Sequence, residues 1–440
     1  MFEKYDAYKD SGVDWIGSIP SHWYIKKAKF LFVESDERSN TGSEELLSVS
    51  HMTGVTPRAE KNVSMFMAED YSGSKLCKRD DLVMNIMWAW MGALGVSAYE
   101  GIVSPSYGVY RQKNPKSFNS KYLEYLLKST KYIEYYNQVS TGLHSSRLRF
   151  YGHMFLNMKL GFPDLNEQDN IIGFLNKKTT EIDQAISIKE QQIALLNERK
   201  QIVIQQAVTQ GLDPNVPMKD SDVEWIGLIP EHWNTITKLK HIASLKGRQG
   251  WQGLKADEYI DEGPYVVSSA HFEGLDINWD KCPHVSRERY EMDSHIQLNI
   301  ADILLMKDGA KMGKMAYISN LPDLACLNSH LLLIRSLKTQ DEFFFDSKYM
   351  LYFMLSEKFQ DYVQVKGTGT TFMGISQESI GNFPIALPSL YEQIQIASFL
   401  DQKMLELEKG KDLLLTQIAK LKEYKTTLIN DAVTGKIKVA

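Results

Sequence analysis

The residues best suited to chemistry in this 440-residue chain are cations and hydroxyl side chains in glycine-containing segments. Glycine lets the backbone approach a ligand closely, and a neighbouring lysine suits a phosphate group. The segment GAKMGK at Gly309 to Lys314 is the nearest to a phosphate-binding loop, but it has one residue too few between its glycines. Met315 also stands where such a loop has Ser or Thr. Nucleotide binding at this segment is therefore disfavoured.

Catalytic patterns are otherwise missing from the sequence. There is no Gly-x-Ser-x-Gly, no His-Glu-x-x-His and no motif of an amino-methyltransferase. The pair Glu198 and Lys200 has the Glu-x-Lys spacing of some nucleases, but both residues belong to the surface pattern of a long predicted helix. The histidines lack metal-ligand spacing. Three isolated cysteines are predicted to be packing residues: Cys77, Cys282 and Cys326. The chain is interpreted as a binding protein without a metal or cofactor of its own.

Composition indicates a globular chain with room for two or three domains, because 43% of the residues are hydrophobic and 24% are charged. No apolar run approaches the roughly 18 residues that span a bilayer, and the N-terminal residues lack the apolar core of a signal peptide. We therefore expect a cytoplasmic protein. The net charge of −5 gives no general attraction to nucleic acid, so any positive surface must be local or supplied by a partner.

The elements that position these residues are repeated along the chain. Three blocks occur twice: KDSGVDWIGSIPSHW (Lys9–Trp23) and KDSDVEWIGLIPEHW (Lys219–Trp233); LNEQDNIIGFLNKKTTEID (Leu165–Asp183) and LYEQIQIASFLDQKMLELE (Leu390–Glu408); AVTQGL from Ala207 and AVTGKI from Ala432. The offset is 210 positions between Trp15 and Trp225 and 225 between Glu167 and Glu392, so the second copy is 15 residues longer in its middle. In the tails, Gln210 stands where the second copy has Gly435. Repeated heads and tails with divergent middles indicate one frame that carries two different sites.

The divergent middles are predicted to be mixed α and β structure. Short β-rich runs alternate with Gly, Ser, Asn and Pro in VMNIMWAWMGALGVSAYEGIVSPSYGVYR and in PYVVSSAHFEGLDINW. One helix is predicted to follow in each copy, at SKYLEYLLKSTKYIEYYNQ and at SKYMLYFMLSEKFQDYVQ. A glycine-containing loop comes next, STGLHSSRLRF in the first copy and KGTGTTFMGI in the second. We expect similar scaffolds with different loop chemistry.

The tails predict two helices of about 40 residues, each with one apolar seam. Residues spaced alternately four and three apart run from Ile182 to Ala207 and from Leu407 to Ala432. Two equal helices of this kind are expected to pack together; the alternative is that each lies on its own domain. Lys200 and Lys425 occupy the same seam position, where a lysine either fixes the register or extends its ammonium group to the seam edge.

The order of head, divergent middle, EQ-helix and AVTG-like end, present twice, resembles the specificity subunit of type I restriction-modification enzymes over essentially the whole chain. The resemblance implies an α+β fold with two tandem mixed α/β target-recognition domains, each followed by a long α-helix. The two helices would pack as an antiparallel coiled coil with pseudo-two-fold symmetry. The expected boundaries are residues 1–163 and 212–388 for the domains and residues 164–211 and 389–440 for the helices.

The resemblance also implies a non-catalytic DNA-binding subunit. Each domain would read one half of an asymmetric, bipartite site, and the helices would set the unspecified spacer. Two modification subunits would carry S-adenosylmethionine and methylate an adenine in each half-site, and restriction subunits would add translocation and cleavage driven by ATP and Mg. One alternative is a coiled-coil scaffold whose two domains bind proteins or glycans. Another is that a domain is itself an enzyme.

Candidate DNA contacts in the first domain lie in the loop after the predicted helix and near a glycine-containing turn. Arginine suits a guanine edge or a phosphate, and indole rings can line a groove. The alternatives are an internal salt bridge for Arg147 or Arg149 and a place in the core for Trp88 and Trp90, as alternating residues of a strand. The first-domain candidates are His144, Ser145, Ser146, Arg147, Arg149, Trp88, Trp90, Ser104, Ser106 and Tyr107.

Candidate contacts in the second domain combine glycines with cations or amides, or lie at predicted strand ends. The segments LKGRQGWQGLK, MKDGAKMGK and KGTGTT supply most of them. Ordinary surface placement is the alternative for each. The second-domain candidates are Lys246, Arg248, Gln249, Trp251, Gln252, Ser269, His271, Lys307, Lys311, Lys314, Asn328, His330, Lys366, Thr368, Thr370 and Thr371.

Overall fold

The chain forms two compact units in a computed structural model. The structure describes residues 2–60, 70–115, 117–142, 148–223, 226–233, 236–247, 254, 256–339, 342–369 and 373–439. The first unit comprises Met1–Lys189 and Leu415–Ala440, and the second unit comprises Glu190–Leu414. The division falls within both long helices, so each unit contains the start of one long helix and the end of the other. Among the described residues, no helix is long and apolar enough to cross a membrane.

The first unit is built around an antiparallel sheet. Its strands are β1 (Tyr8–Asp10), β2 (Ser18–Pro20), β3 (Tyr24–Lys27), β4 (Phe32–Glu34), β5 (Leu47–Ser50), β6 (Gly54–Pro57), β7 (Lys75–Cys77), β8 (Leu82–Met84), β9 (Leu94–Val96), β10 (Gly101–Val103), β11 (Gly108–Gln112) and β12 (Lys159–Phe162). Its helices are α1 (Ala28–Leu31), α2 (Ser120–Leu127), α3 (Thr130–Val139), α4 (Gly152–Asn157) and the start of α5 (Leu165–Gln210). Four strands form the sheet, in the order β4, β11, β8, β9. β8 is buried along its whole length, as a strand with apolar side chains on both faces requires.

The second unit has the same arrangement with a longer insertion. Its strands are β13 (Met218–Asp220), β14 (Leu228–Pro230), β15 (Thr237–Lys238), β16 (Ala243–Gly247), β17 (Ile260–Val267), β18 (Phe272–Glu273), β19 (Asp276–Ile277), β20 (Ile303–Met306), β21 (Met315–Tyr317), β22 (Ala325–Leu327), β23 (Leu331–Ser336) and β24 (Pro384–Ile385). In addition to the end of α5, its helices are α6 (Leu239–Ile242), α7 (Arg287–Glu291), α8 (Ser347–Leu355), α9 (Glu357–Lys366), α10 (Gln377–Gly381) and the start of α11 (Leu390–Val433). The sheet order β16, β23, β20, β21 repeats that of the first unit. Between β16 and β20 lies β17, which pairs with β22 in parallel, as Leu46 before β5 pairs in parallel with Ile102 of β10 in the first unit.

The helix predicted after each sheet is two helices, so the prediction of a single helix is wrong. In the first unit α2 ends before Ser129, and in the second unit α8 ends before Ser356. Both serines have extended backbone conformation, with ψ of 153° and 149°, and stand immediately before the next helix. Serine favours such a position over a helix interior. The apolar periodicity continues across the break, which is why it did not reveal the interruption.

The two long helices pack together in antiparallel fashion, as predicted, and the alternative of two independent helices is wrong. Every residue of the predicted seams is buried or half-buried. In the first unit the Lys425 ammonium group lies 2.7 Å from the Asp183 carboxylate, and in the second unit the Lys200 ammonium group lies 3.0 Å from that of Glu408. Each seam lysine therefore reaches an acidic residue of the opposite helix. The three cysteines are buried and unbridged, as predicted for packing residues.

The repeated heads are explained by a matched set of contacts to the start of each long helix. The indole nitrogen of Trp23 donates to Glu167 Oε1 at 3.1 Å, and His22 Nε2 lies 2.7 Å from the other carboxylate oxygen. In the second unit Trp233 donates to Glu392 at the same 3.1 Å. Lys9 also donates to the Trp23 carbonyl at 2.6 Å, where the second unit has Lys219 and Trp233 at 2.8 Å. These contacts fasten the head to the EQ-helix.

The repeated tail ends are each held by a buried tyrosine of a short helix, α2 in the first unit and α8 in the second. In the first unit the buried hydroxyl of Tyr122 donates to the carbonyl of Val433, at the end of α11. In the second unit Tyr349 donates to Val208, near the end of α5. Each of these helices is followed by a glycine with φ of +74°, Gly435 and Gly211 respectively. Relative to the repeat, the glycine that follows the first long helix therefore lies one residue later than the glycine that follows the second.

Candidate nucleic-acid interface

Two turns of equal length lie at corresponding ends of the two sheets. The first turn, residues 86–93, joins β8 to β9, and the second turn, residues 307–314, joins β20 to β21. The first turn is closed by a hydrogen bond from Asn85 N to the Ala93 carbonyl at 2.9 Å, and the second by one from Met306 N to the Lys314 carbonyl at 2.8 Å. Each sheet therefore presents side chains that differ between the units from a turn that has the same length and the same closing hydrogen bond.

The first turn exposes aromatic and apolar side chains. Trp88 is 46% exposed and Met91 is 42% exposed. The rings of Trp88 and Trp90 stack with their centroids 5.8 Å apart, and the indole nitrogen of Trp90 donates to the Met87 carbonyl at 2.9 Å. The expectation that both tryptophans are core residues of a strand is wrong. β8 ends at Met84, and the chain turns through a short 3₁₀ segment, so neither indole points into the sheet core.

Small polar groups surround the first turn. Ser104 and Ser106 lie just before β11, with their hydroxyl oxygens 2.8 Å apart. Tyr107 follows them, and its hydroxyl accepts a hydrogen bond from Asn85 Nδ2 at 3.0 Å. Burial raises the pKa of Tyr107, which keeps the phenol neutral. The sequence placed these three residues and the tryptophans in one group, and the structure brings them to the same end of the sheet.

The loop after α3 reaches this end as well. Thr141 and Arg149 exchange backbone hydrogen bonds of 3.1 and 2.9 Å, which close the loop, and Phe150 N donates to the Ile86 carbonyl at 2.9 Å. Arg149 is half-buried and makes no ion pair with a described residue, so the structure does not support the internal salt bridge for it. His144, Ser145, Ser146 and Arg147 lie outside the described residues.

Arg58 is a cation near this site that the sequence did not reveal. It lies in the short 3₁₀ segment after β6, and its charge acts on the Tyr107 phenol. The sequence carried no signal for it, because Arg58 is far from Tyr107 along the chain and belongs to no glycine-rich loop. Only the folding of β6 against the sheet brings the guanidinium group to the first turn.

The second turn carries cations in place of indoles. Lys311 is exposed, and Lys307 and Lys314 are half-buried. Lys314 Nζ donates to the Phe272 carbonyl at 3.2 Å and lies 5.4 Å from the centre of its ring. Gly309, with φ of +86°, has a backbone conformation that Trp88 at the corresponding position does not share, since Trp88 has φ of −130°. The two turns thus match in length and closure but differ locally in path.

Several second-unit candidates converge on the second turn. Lys307 N donates to the His330 carbonyl at 3.1 Å, and Ile375 N donates to the Lys307 carbonyl at 2.8 Å. His330 Nδ1 lies 2.7 Å from a carboxylate oxygen of Asp308. Thr368 and Gly374 exchange backbone hydrogen bonds of 2.8 and 2.9 Å, which close the loop after α9 as Thr141 and Arg149 close its counterpart. The exposed Lys366 ends α9, immediately before this loop.

The residues predicted at strand ends are found there. Ser269 and His271 follow β17, and Asn328 follows β22, with Asn328 N donating to the Val267 carbonyl at 2.8 Å. Burial lowers the pKa of His271, whose Nδ1 accepts the Ser268 backbone N–H at 3.1 Å, so its proton lies on Nε2. Lys246 is half-buried in β16. The remaining second-unit candidates lie outside the described residues: Arg248, Gln249, Trp251, Gln252, Thr370 and Thr371.

The turn geometry bears on the weak phosphate-loop motif. Gly309 to Lys314 connects two antiparallel neighbours, β20 and β21, and a strand rather than a helix follows it. A phosphate loop of a nucleotide-binding enzyme leads from a strand into a helix, whose N-terminus binds the phosphate. The structure agrees with the rejection of a nucleotide site here.

Residues 230–417 match the family model described as the type I restriction modification DNA specificity domain. The type I restriction enzyme MjaVIII specificity subunit of Methanocaldococcus jannaschii is 25% identical over 366 residues, which cover 81% of this chain and 79% of that protein. The putative type I restriction enzyme MjaX specificity subunit of the same organism is 22% identical over 451 residues, with 96% of each chain covered.

Two solved structures have the same fold. One, described as the structural basis underlying complex assembly and conformational transition of the type I R-M system, has a TM-score of 0.67 at 15% identity and covers 94% of this chain and 98% of that one. The other is the HsdS subunit from Thermoanaerobacter tengcongensis, with a TM-score of 0.55 at 15% identity and coverage of 95% and 98%. The predicted fold class is thereby confirmed.

Proposed function

We propose that the chain is a non-catalytic specificity subunit of a type I restriction-modification system and that its two units read the two halves of one bipartite DNA site. The observation that carries the proposal is the pair of matched sheet ends. One frame presents Trp88, Ser106 and Arg149 in the first unit. In the second unit it presents Lys311 and His330. Two domains that share one backbone arrangement but present different side chains suit an asymmetric DNA site. The scaffold for proteins or glycans is not favoured, because the matched family model is a DNA specificity domain.

The long helices are proposed to set the spacer between the half-sites. α5 has 46 residues and α11 has 44, which correspond to about 65–70 Å of helix at 1.5 Å per residue. The seam residues are buried or half-buried in each unit, and the helix ends are fastened by Tyr122 in the first unit and Tyr349 in the second. A helix pair held at both ends is stiff enough to act as a ruler.

The catalytic steps are assigned to partner subunits. Two modification subunits would bind S-adenosylmethionine and methylate an adenine in each half-site, and restriction subunits would supply cleavage that depends on ATP and Mg. Support for docked partners comes from apolar side chains that the long helices leave exposed: Leu195, Ile202, Leu405 and Leu413 in the second unit, and Ile188, Leu415 and Tyr424 in the first. Such apolar stripes on otherwise polar helices are typical of protein interfaces.

Methylation mapping tests the reading of two half-sites. The chain would be expressed with its modification subunits in a host without adenine methylation, and the methylated sites sequenced. We expect one asymmetric bipartite motif. Arg149→Ala should relax one half of it and Asn328→Ala the other, since each residue lies in a different unit. The variant Lys409→Ala, at an exposed position of α11, should leave both halves intact. A motif without two halves, or relaxation of the same half by both variants, would contradict the proposal.

The ruler is tested by a heptad insertion in each long helix at the division between the units, after Lys189 and after Leu414. Seven residues preserve the seam and add about 10 Å of helix, equivalent to about three base pairs. We expect the same half-sites with a longer spacer in the methylation map. An insertion in only one helix interrupts the seam and should abolish methylation. An unchanged spacer in the double insertion would refute the ruler.

A further inference from the structure

The two matched turns differ in charge at the same place in the fold. The first turn reads IMWAWMGA at residues 86–93 and has no charged residue, whereas the second reads KDGAKMGK at residues 307–314 and has three lysines and one aspartate. Both turns have a glycine with positive φ at the seventh position, Gly92 at +82° and Gly313 at +92°. Trp90 and Lys311 occupy the same position, the fifth of each turn. The frame is shared, so the difference lies in what each turn can bind.

We propose that the second turn grips the phosphate backbone of DNA, while the first turn contacts bases through its indole surface. This division rests on the proposed function and adds the chemistry of each contact. It predicts that the second turn contributes sequence-independent affinity that salt weakens, and that the first turn contributes affinity that salt does not weaken.

Charge carries the argument for the second turn. Lys307 and Lys311 make no ion pair with a described residue, and Lys311 is exposed. The one acidic group of the turn, Asp308, is engaged by His330 at 2.7 Å, so it does not neutralise these lysines directly. An ammonium group on a flexible stem is a point charge that suits a phosphate better than a base edge. Lys307 and Lys311 are therefore the groups of this turn that suit phosphates, whereas Lys314 is held by the carbonyl and the ring of Phe272.

Rigidity and neutrality carry the argument for the first turn. Trp90 is fixed by its own hydrogen bond to Met87 and by Asn137, whose side-chain amide donates to the Trp90 carbonyl at 2.8 Å. Trp88 stacks on it and remains 46% exposed. A fixed, exposed indole loses little conformational entropy on binding and can pack against an apolar group on a base edge, such as the methyl group of thymine. The neutral phenol of Tyr107 beside it adds a hydrogen-bonding group without adding charge.

The test compares variants of the full chain in complex with its modification subunits. Binding is measured from 50 to 200 mM salt on a duplex with the mapped site and on a duplex of scrambled sequence. Lys311→Gln should weaken both duplexes equally and reduce the salt slope by about 0.9, the value for one phosphate contact. Trp88→Ala should weaken the specific duplex by about tenfold, the scale of one lost contact to a base edge, and leave the slope unchanged. Lys358→Gln, which removes an exposed charge from α9, is the control and should change neither quantity.

Reciprocal exchange at the matched position sharpens the result. Trp90→Lys should steepen the salt slope, and Lys311→Trp should flatten it. If Lys311→Gln weakens only the specific duplex, the second turn reads bases and the division of roles is overturned. If Trp88→Ala weakens both duplexes equally, the first turn has no base contact and the division is again overturned. Failure of the wild-type complex to prefer the mapped site would instead refute the proposed function.

Discussion

In the first unit Trp23 donates to Glu167, in the second Trp233 donates to Glu392, and the two distances are the same 3.1 Å. At the sheet ends, by contrast, turns of equal length carry IMWAWMGA and KDGAKMGK. Residues that recur in both copies are therefore those that fasten head, helix start and helix end. Residues that differ lie where the sheets meet solvent. Comparison of the two copies within one chain therefore distinguishes residues that hold the fold together from residues that vary at the surface, and it needs no homologous protein.

The largest expected effect comes from a frame feature present in both units, a buried aspartate held by an arginine through two hydrogen bonds. Asp81 and Asp302 are each 1% exposed and are bound by Arg111 and Arg335 at 2.6–2.9 Å. Removal of the aspartate takes two hydrogen bonds from a partly buried guanidinium group, which keeps Glu37 in the case of Arg111 and the Gln297 carbonyl in the case of Arg335. Asp81→Ala and Asp302→Ala should each lower the free energy of unfolding by about 3 kcal/mol. Urea denaturation measures this.

The exposed Asp261→Ala serves as control for these two variants and should cost less than about 0.5 kcal/mol. A cost in one unit only would break the correspondence between the two frames.

The glycines that follow the two long helices share a backbone conformation but differ in the space around them. Gly435 and Gly211 both have φ of +74°, so alanine is strained at either site. A methyl group at Gly435 would lie 2.6 Å from Pro20 Cδ, whereas one at Gly211 would lie 3.1 Å from the flexible Glu392 carboxylate. Gly211→Ala should therefore cost about 1 kcal/mol, from backbone strain alone, and Gly435→Ala should cost more. Thermal unfolding of both variants tests which one loses more stability. Equal losses of stability would show that Pro20 moves aside to make room for the methyl group.

The smallest expected effect concerns the seam. Lys200 lowers the pKa of Glu408, chiefly through their hydrogen bond, with Lys411 as a further partner. A lowered pKa means that the pair stabilises the protein above the ordinary glutamate pKa of about 4.3, and that this stabilisation is lost as pH falls through the lowered value. Lys200→Met should change the free energy of unfolding by less than about 1 kcal/mol at pH 7, because the pair is partly exposed.

The difference between this variant and the wild type should shrink in urea titrations at pH 3. A difference that stays constant from pH 7 to pH 3 would mean that the lysine acts through packing of its stem. Lys425→Met, which removes the contact to Asp183, provides the matched measurement in the first unit.

Periodicity and repetition were enough to predict the long helices, their packing and the mixed sheet domains. Seam spacing persists over about seven turns, and a pattern that long is produced by little other than a helix with a partner. The sequence also grouped Ser106, Tyr107 and Trp88 correctly, because Trp88 follows β8 and the other two precede β11, its neighbour in the sheet, within a short stretch of chain. Local order is readable when neighbours in sequence are neighbours in space.

Features that depend on one residue or on distant strands were not predictable. The 3₁₀ turn after β8 takes Trp88 and Trp90 out of the strand pattern. The glycine with positive φ that follows α5 is Gly211, one residue later than the position that aligns with Gly435. Arg58 reaches the first turn only because β6 folds against the sheet. Each of these depends on tertiary packing, which overrides local preference.

The discontinuous make-up of the first unit has a consequence for the order of folding during synthesis. The second unit, Glu190–Leu414, is one continuous stretch of chain, whereas the first unit needs residues 415–440 in addition to residues 1–189. A ribosome adds about 5–20 residues per second, so the second unit can close first although it is translated second. Until residues 415–440 emerge, Tyr122 lacks the Val433 carbonyl to which it donates. The apolar flank of the waiting first unit is the surface that nascent-chain chaperones would be expected to cover.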